Sequence, residues 1–274
     1  MPRKRRTPER EKKPNSLKTG VSGKRFRKDP AFKQSRRAMS EFGLGSDAAT
    51  LIRRAFADTL GNIPQNITHA RLTRSITALV REKKAAGTQR VRLNQLQWER
   101  LRNFEFNTQT NLSALLISNY KISINRSAAT VNILLSGVQV SNSVDELPEI
   151  THVAVLAGAA TIDFEKETIN KDHRATAHIP KKQGSIEEIN ILLQLPRPAT
   201  HPLFVALGFA IFKQDGALLY PLHNLRYRAL CIIHVHSSPP PAYKKKPASR
   251  PKATKKTIKK KQPPKPTPKN KRSR

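Results

Sequence analysis

Two histidines two residues apart, His234 and His236, are the nearest approach to a metal site in this sequence. On a strand, side chains two apart share a face, and a pair of imidazoles there holds a metal once a third ligand converges. No acid or cysteine adjoins the pair, and His201 and His223 could join it only through folding. Asp163, Glu165 and Glu167 have the spacing of one strand face. Paired-carboxylate hydrolysis starts from such a set, but the last two read as solvated. The single cysteine, Cys231, shares a strand face with Leu225, Tyr227, Ala229, Ile233 and Val235. That makes it a core thiol, since a nucleophile needs an adjacent base. Gly20-Val21-Ser22-Gly23-Lys24 lacks both the GxxxxGK[ST] spacing of a phosphate loop and a preceding strand. These groups give no catalytic set, no metal site and no cofactor.

The residues present in excess are cations. The chain carries 52 Lys and Arg against 19 Asp and Glu, a formal net charge of +33 over 274 residues. Residues 1–28 hold twelve cations and two acids, 29–103 fourteen and six, 104–236 eleven and eleven, and 237–274 fifteen and none. A neutral segment is therefore flanked by cationic ones, which points to an anionic partner more strongly than an evenly basic surface would. The candidate phosphate contacts are Arg3, Lys4, Arg5 and Arg6 in the first arm and Arg53, Arg54, Arg71 and Arg74 off the apolar stripes of helices. In the last segment they are Lys244, Lys245, Lys246, Lys255, Lys256, Lys259, Lys260 and Lys261. Guanidinium forks match phosphate oxygens, and few acids compete for them here. An ordinary solvated face is the alternative for the helix arginines, and a localisation signal for the first cluster.

Four segments position these groups. Residues 1–28, rich in Lys, Arg and Pro, bury too little apolar surface to offset ordering, so a disordered basic arm is expected. Residues 29–103 read as a basic helical region. Phe32, Arg36, Met39 and Phe42 fall near helical spacing up to Gly43 and Gly45. Ser46 caps a second helix with the stripe Leu51, Ile52, Ala55, Phe56 and Leu60, stopped by Gly61. A third opens at Pro64 and Asn66, carries Leu72, Ile76, Leu79 and Val80, and ends near Gly87. Nothing among the three fixes a recognition helix. Residues 88–103 read as a junction. Trp98 stands alone there, as a packing residue between helices and strands rather than a stacking platform for bases.

From Phe104 the period is two. Strands are expected over 114–124, 130–136, 151–164, 174–179, 186–195, 203–212 and 225–235, with prolines between the runs. In the run 203–212, Leu203, Val205, Leu207, Phe209 and Ile211 point one way and Phe204, Ala206, Ala210 and Phe212 the other. Apolar residues on both faces mark a central strand. Asp215-Gly216 then turns the chain into a hairpin. The fold class is α+β by segregation: a short N-terminal helical region followed by an antiparallel β-sandwich over 104–236, with disordered basic termini. Residues 237–274, with nine prolines and no acid, form a Lys/Pro-rich, extended and self-repelling tail.

Several motifs then occur in a fixed order. They are Phe26-Arg27-Lys28-Asp29-Pro30-Ala31-Phe32, Glu41-Phe42-Gly43, Leu51-Ile52-Arg53, Phe104-Glu105-Phe106-Asn107 and Thr151-His152. Ile162-Asp163-Phe164, the run Pro202 to Gly208, Tyr220-Pro221-Leu222 and Arg228-Ala229-Leu230 follow. Together they resemble a bacterial family of uncharacterised proteins over roughly residues 26–235. The resemblance implies no activity and assigns no functional residues.

The expected function is that of a non-enzymatic, sequence-nonspecific nucleic-acid-associated protein, with DNA or RNA phosphates as partner. The alternative is a structural or adaptor protein whose sandwich contacts another protein while the tails dock to acidic partners. With one cysteine, no apolar run after the N-terminus and no stretch near a membrane span, the expected location is cytoplasmic, without a membrane partner.

Overall fold

A computed structural model describes residues 21–237 except 62, 89, 141–143, 145–146, 185 and 197–199. Helix α1, Gly23–Lys28, starts on the side chain of Ser22, which accepts the Arg25 N–H at 3.3 Å. The basic arm assigned by composition therefore includes a helical turn at its C-terminal end.

Two long helices, not three, make up the region that follows. Helix α2, Lys33–Ala55, runs straight through Gly43 and Gly45, and is followed by the short α3, Ala57–Leu60. Helix α4 spans Gln65–Ala85. Gly45 does not stop α2; it lets α4 approach. A Cβ there would collide with Thr77 Oγ1 and lie 3.0 Å from the Thr73 carbonyl oxygen and 3.2 Å from Thr77 N. At Gly43 a Cβ would meet nothing within 4 Å. The same change should thus have opposite signs two residues apart. Gly43→Ala is expected to stabilise by about 0.5–1 kcal/mol through helix propensity. Gly45→Ala is expected to destabilise by about 1–3 kcal/mol, because backbone must give way. Urea midpoints measure both, and equal shifts would place the helix contact elsewhere.

Further along the same interface Glu41 is buried, and Arg37 (2.9 Å), Arg81 (3.2 Å) and Lys84 (3.3 Å) converge on its carboxylate. Burial alone would raise this carboxyl; the three cations outweigh it and hold it below the usual glutamate range. The expected apolar positions Met39 and Phe42 are exposed instead, at 64% and 59%.

Two antiparallel sheets follow. The larger has the order β1 (Phe104–Glu105), β10 (Ala229–His236), β8 (Leu203–Asp215), β4 (His152–Asp163), β5 (Thr168–Ala175). In addition β6 (Ile179–Pro180) pairs with β4, and β9 (Leu218–Pro221) pairs with β8. The smaller has the order β2 (Leu116–Asn125), β3 (Thr130–Val140), β7 (Ile186–Gln194), entered through the helical turn α5, Leu112–Leu115.

Strand β8 is central and alternates as the sequence suggests. Its Leu203, Val205, Leu207, Phe209 and Ile211 join a buried cluster with Val131, Ile133 and Leu135 of β3 and Ile191 and Leu193 of β7. Its Phe204 and Ala206 join another with Ile52 of α2, Phe56, and Leu72 and Ile76 of α4. The helical region and the larger sheet thus share one core, and no break separates residues 29–103 from 104–236.

Several strand assignments differ from expectation. The turn after Asp215 leads into β9, not β10; β10 begins only at Ala229, after a turn of 3₁₀ helix at Leu225–Tyr227. The run 174–179 is divided between the end of β5 and the short β6. A register shift between Ile232 and His234 turns Val235 away from the face of Cys231 and into the helix-side cluster.

Candidate anion-binding cleft

Where α4 meets the segment leading into β1, polar and cationic side chains surround a cleft of about 440 Å³. Arg71 and Ser75 come from α4, Arg100 and Arg102 from the turn after Trp98, and Thr108 and Asn111 from the loop after β1. Trp98 fixes the turn. It is fully buried, stacks on Phe164 with ring centroids 4.4 Å apart, and donates its indole N–H to the Leu93 carbonyl at 2.9 Å. Asn103 allows the chain to turn into β1 by taking φ 66°, a conformation Asn tolerates better than most residues.

Arg71 is held in two ways. Its Nη1 donates to the Glu105 carbonyl at 2.6 Å, and its guanidinium carbon lies 4.9 Å from the centre of the Phe104 ring. Arg100 pairs with Glu82 of α4. Arg102 makes no ion pair among the described residues. The nearby acids are committed elsewhere. Glu82 is taken by Arg100, and Glu99 accepts the Ser237 hydroxyl at 2.6 Å and its N–H at 2.9 Å. Burial pushes the Glu105 carboxyl up, although the Leu112 N–H, Cys231 and Arg71 oppose the rise. Arg100 is thus neutralised and Glu105 is an acid in the lining, which leaves Arg71 and Arg102 with the polar side chains as the groups suited to an oxyanion such as phosphate.

Of the four helix arginines singled out in the sequence, only Arg71 lines this cleft. Arg53 is partly buried near His69, while Arg54 and Arg74 are exposed. Arg3 to Arg6 and the lysines at 244–246, 255, 256 and 259–261 lie outside the described residues. Sequence reasoning misses Arg100 and Arg102. Their signal is two arginines two apart beside the only tryptophan, but it lies in a stretch that reads as a junction.

Of the other candidate groups, His201 and Asp163 come together, Nε2 lying 3.5 Å from Oδ2. Burial, then Arg102 and His236, hold the His234 imidazole below its ordinary value, against the pull of Glu99. No group of three His, Cys, Asp or Glu residues suited to a metal occurs among the described residues. Asp163 does not share a strand face with Glu165 and Glu167, because β4 ends at Asp163 and the chain turns, Glu167 taking φ 55°. Asp163 instead holds that turn, accepting the Glu165 and Lys166 N–H groups at 3.0 and 3.2 Å and the Asn94 amide at 2.7 Å. No helix among the described residues is long and apolar enough to cross a membrane.

No family model, curated protein or solved structure matches this chain. The comparisons thus lend nothing to the motif resemblance over roughly 26–235, and the reading of function rests on charge and geometry.

Proposed function

We propose that this chain is a non-enzymatic nucleic-acid-associated protein that binds phosphates without sequence preference. In this reading the two antiparallel sheets form a sandwich, and that sandwich is the electrically neutral body. The basic arms supply most of the affinity, and the Arg71–Arg100–Arg102 cleft supplies one fixed contact. The observation that carries the proposal is the charge partition: balanced charge over 104–236, and fifteen cations with no acid over 237–274. Neutralising phosphates releases condensed counterions, so affinity of this kind falls steeply with salt.

The test is fluorescence anisotropy with labelled duplex DNA or structured RNA, near physiological salt and over a salt series. If the tail reaches about five phosphates, log K against log salt should have a slope of roughly −4.5 on duplex DNA. Deleting residues 237–274 should flatten that slope. Arg102→Gln in the intact chain should reduce its magnitude by about 1, uniformly across sequences. Equal binding by intact and tail-deleted protein would move the affinity to the helices and the cleft. No binding by either near physiological salt would end the proposal.

A further inference from the structure

Behind the cleft, and sharing Asn103 and Glu105 in its wall, lies a second cavity of about 230 Å³. It sits between Leu207, Cys231 and Ile233 of the larger sheet and Leu112, Leu116, Ser118 and Tyr120 of α5 and β2. Glu105 and Cys231 are cross-strand partners, so the Glu105 side chain enters the core on the face of the Cys231 thiol. One carboxylate oxygen accepts the Leu112 N–H at 3.1 Å. The other, Oε2, is buried and has no hydrogen-bond partner. The one side-chain donor bonded to the carboxyl is the Cys231 thiol, a weak one, itself pushed up to about 12 by burial and by Glu105.

A buried carboxylate oxygen left without a partner is destabilising, and folded proteins rarely retain one. Water suits the polar end of the lining, at Asn103, Ser113, Ser118 and Tyr120, but leaves the aliphatic wall of Leu112, Leu116, Leu207 and Ile233 without a partner. The lining suits a molecule with an apolar body and one donor. A cavity of about 150 Å³ accommodates benzene, so this one holds a ligand of up to about ten non-hydrogen atoms. Arg71, Arg100 and Arg102 line the adjoining cleft and disfavour a cationic ligand.

We propose that this cavity binds a small neutral molecule, a ring or compact chain bearing one hydroxyl or N–H that donates to Glu105 Oε2. The site is independent of the phosphate contacts and stands whether or not nucleic acid is the partner.

The probes are phenol, which has the donor, and benzene, which lacks it. Each is titrated into the full chain while methyl NMR resonances of Leu112, Leu116, Leu207 and Ile233 are followed. Phenol should shift these methyls selectively and bind about tenfold more tightly than benzene, the worth of one net hydrogen bond. In Glu105→Leu that preference should fall to about twofold or less. Ser118→Leu, which fills the cavity with apolar atoms, should abolish binding without lowering the melting temperature; should it fail to fold, Ser113→Leu repeats the test. Equal affinity for phenol and benzene in the intact chain, undiminished binding in the filled variant, or no methyl shift at millimolar phenol each overturns the proposal.

Discussion

Trp98→Ala is expected to melt roughly 6–20 °C below the parent chain. Truncating a fully buried Trp costs about 3–5 kcal/mol, and each kcal/mol moves the midpoint of a domain this size by about 2–4 °C. The side chain joins three parts of the fold. It stacks on Phe164 just after β4, meets Phe204 of β8 edge-on at 5.6 Å, and belongs to the cluster shared with α2 and α4. Its backbone N–H also donates to Ser237 Oγ at 3.2 Å. Trp98→Phe keeps most of the packing and loses the indole bond to Leu93, so a smaller loss of about 1–3 kcal/mol is expected. Calorimetry on both variants is the measurement. A midpoint for Trp98→Ala within about 2 °C of the parent would mean that helices and sheet do not depend on each other through this residue.

Phe209→Ala should cost a similar amount, about 3–5 kcal/mol, by a route on the opposite face of the same sheet. Phe209 is fully buried, sits between Val155 of β4 and Ala229 of β10 in register, and joins the cluster to which β3 and β7 contribute. A cavity there weakens the packing against β3 and β7 and leaves the helical face intact. In guanidinium the midpoint should fall with an unchanged slope, as for a loss of stability without a change in the surface exposed. An unshifted midpoint would remove Phe209 from the core.

These two residues also show what can be read from sequence. Phe209 is legible because β8 is apolar at every position from Leu203 to Leu207 and again from Phe209 to Phe212, with only Gly208 between. A strand covered on both sides tolerates that pattern, and a half-exposed one does not. The two glycines in α2 are not legible in the same way. A glycine that ends a helix and one that admits a neighbouring helix look alike until the neighbour is known. The neighbour here, Thr73 and Thr77 of α4, is about thirty residues away. The Asp215-Gly216 turn is a local signal and stands out in the sequence, whereas the strand it leads into depends on pairing across the sheet and does not. The register shift in β10 leaves no mark in composition, so simple alternation puts Val235 on the wrong face. In the cleft, Arg71 stands out by its position off a helical stripe; Arg100 and Arg102 acquire meaning only when α4 is brought beside them.

The pairing of Phe104 with Ile232 also sets an order of assembly. Contacts between α2 and α4 are local and form early, while the larger sheet closes only when β10 is available to pair with both β1 and β8. A chain made N-terminus first, at about 5–20 residues per second, leaves α4 waiting on the order of ten seconds for the central pair β4 and β8. During that interval Ile52, Phe56, Leu72 and Ile76 have no sheet to cover them. Nascent copies with such a bare stripe are prone to associate. The fourteen cations of residues 29–103, against six acids, make neighbouring copies repel one another while the stripe is bare. The same charges that suit an anionic partner thus also keep the unfinished chain in solution.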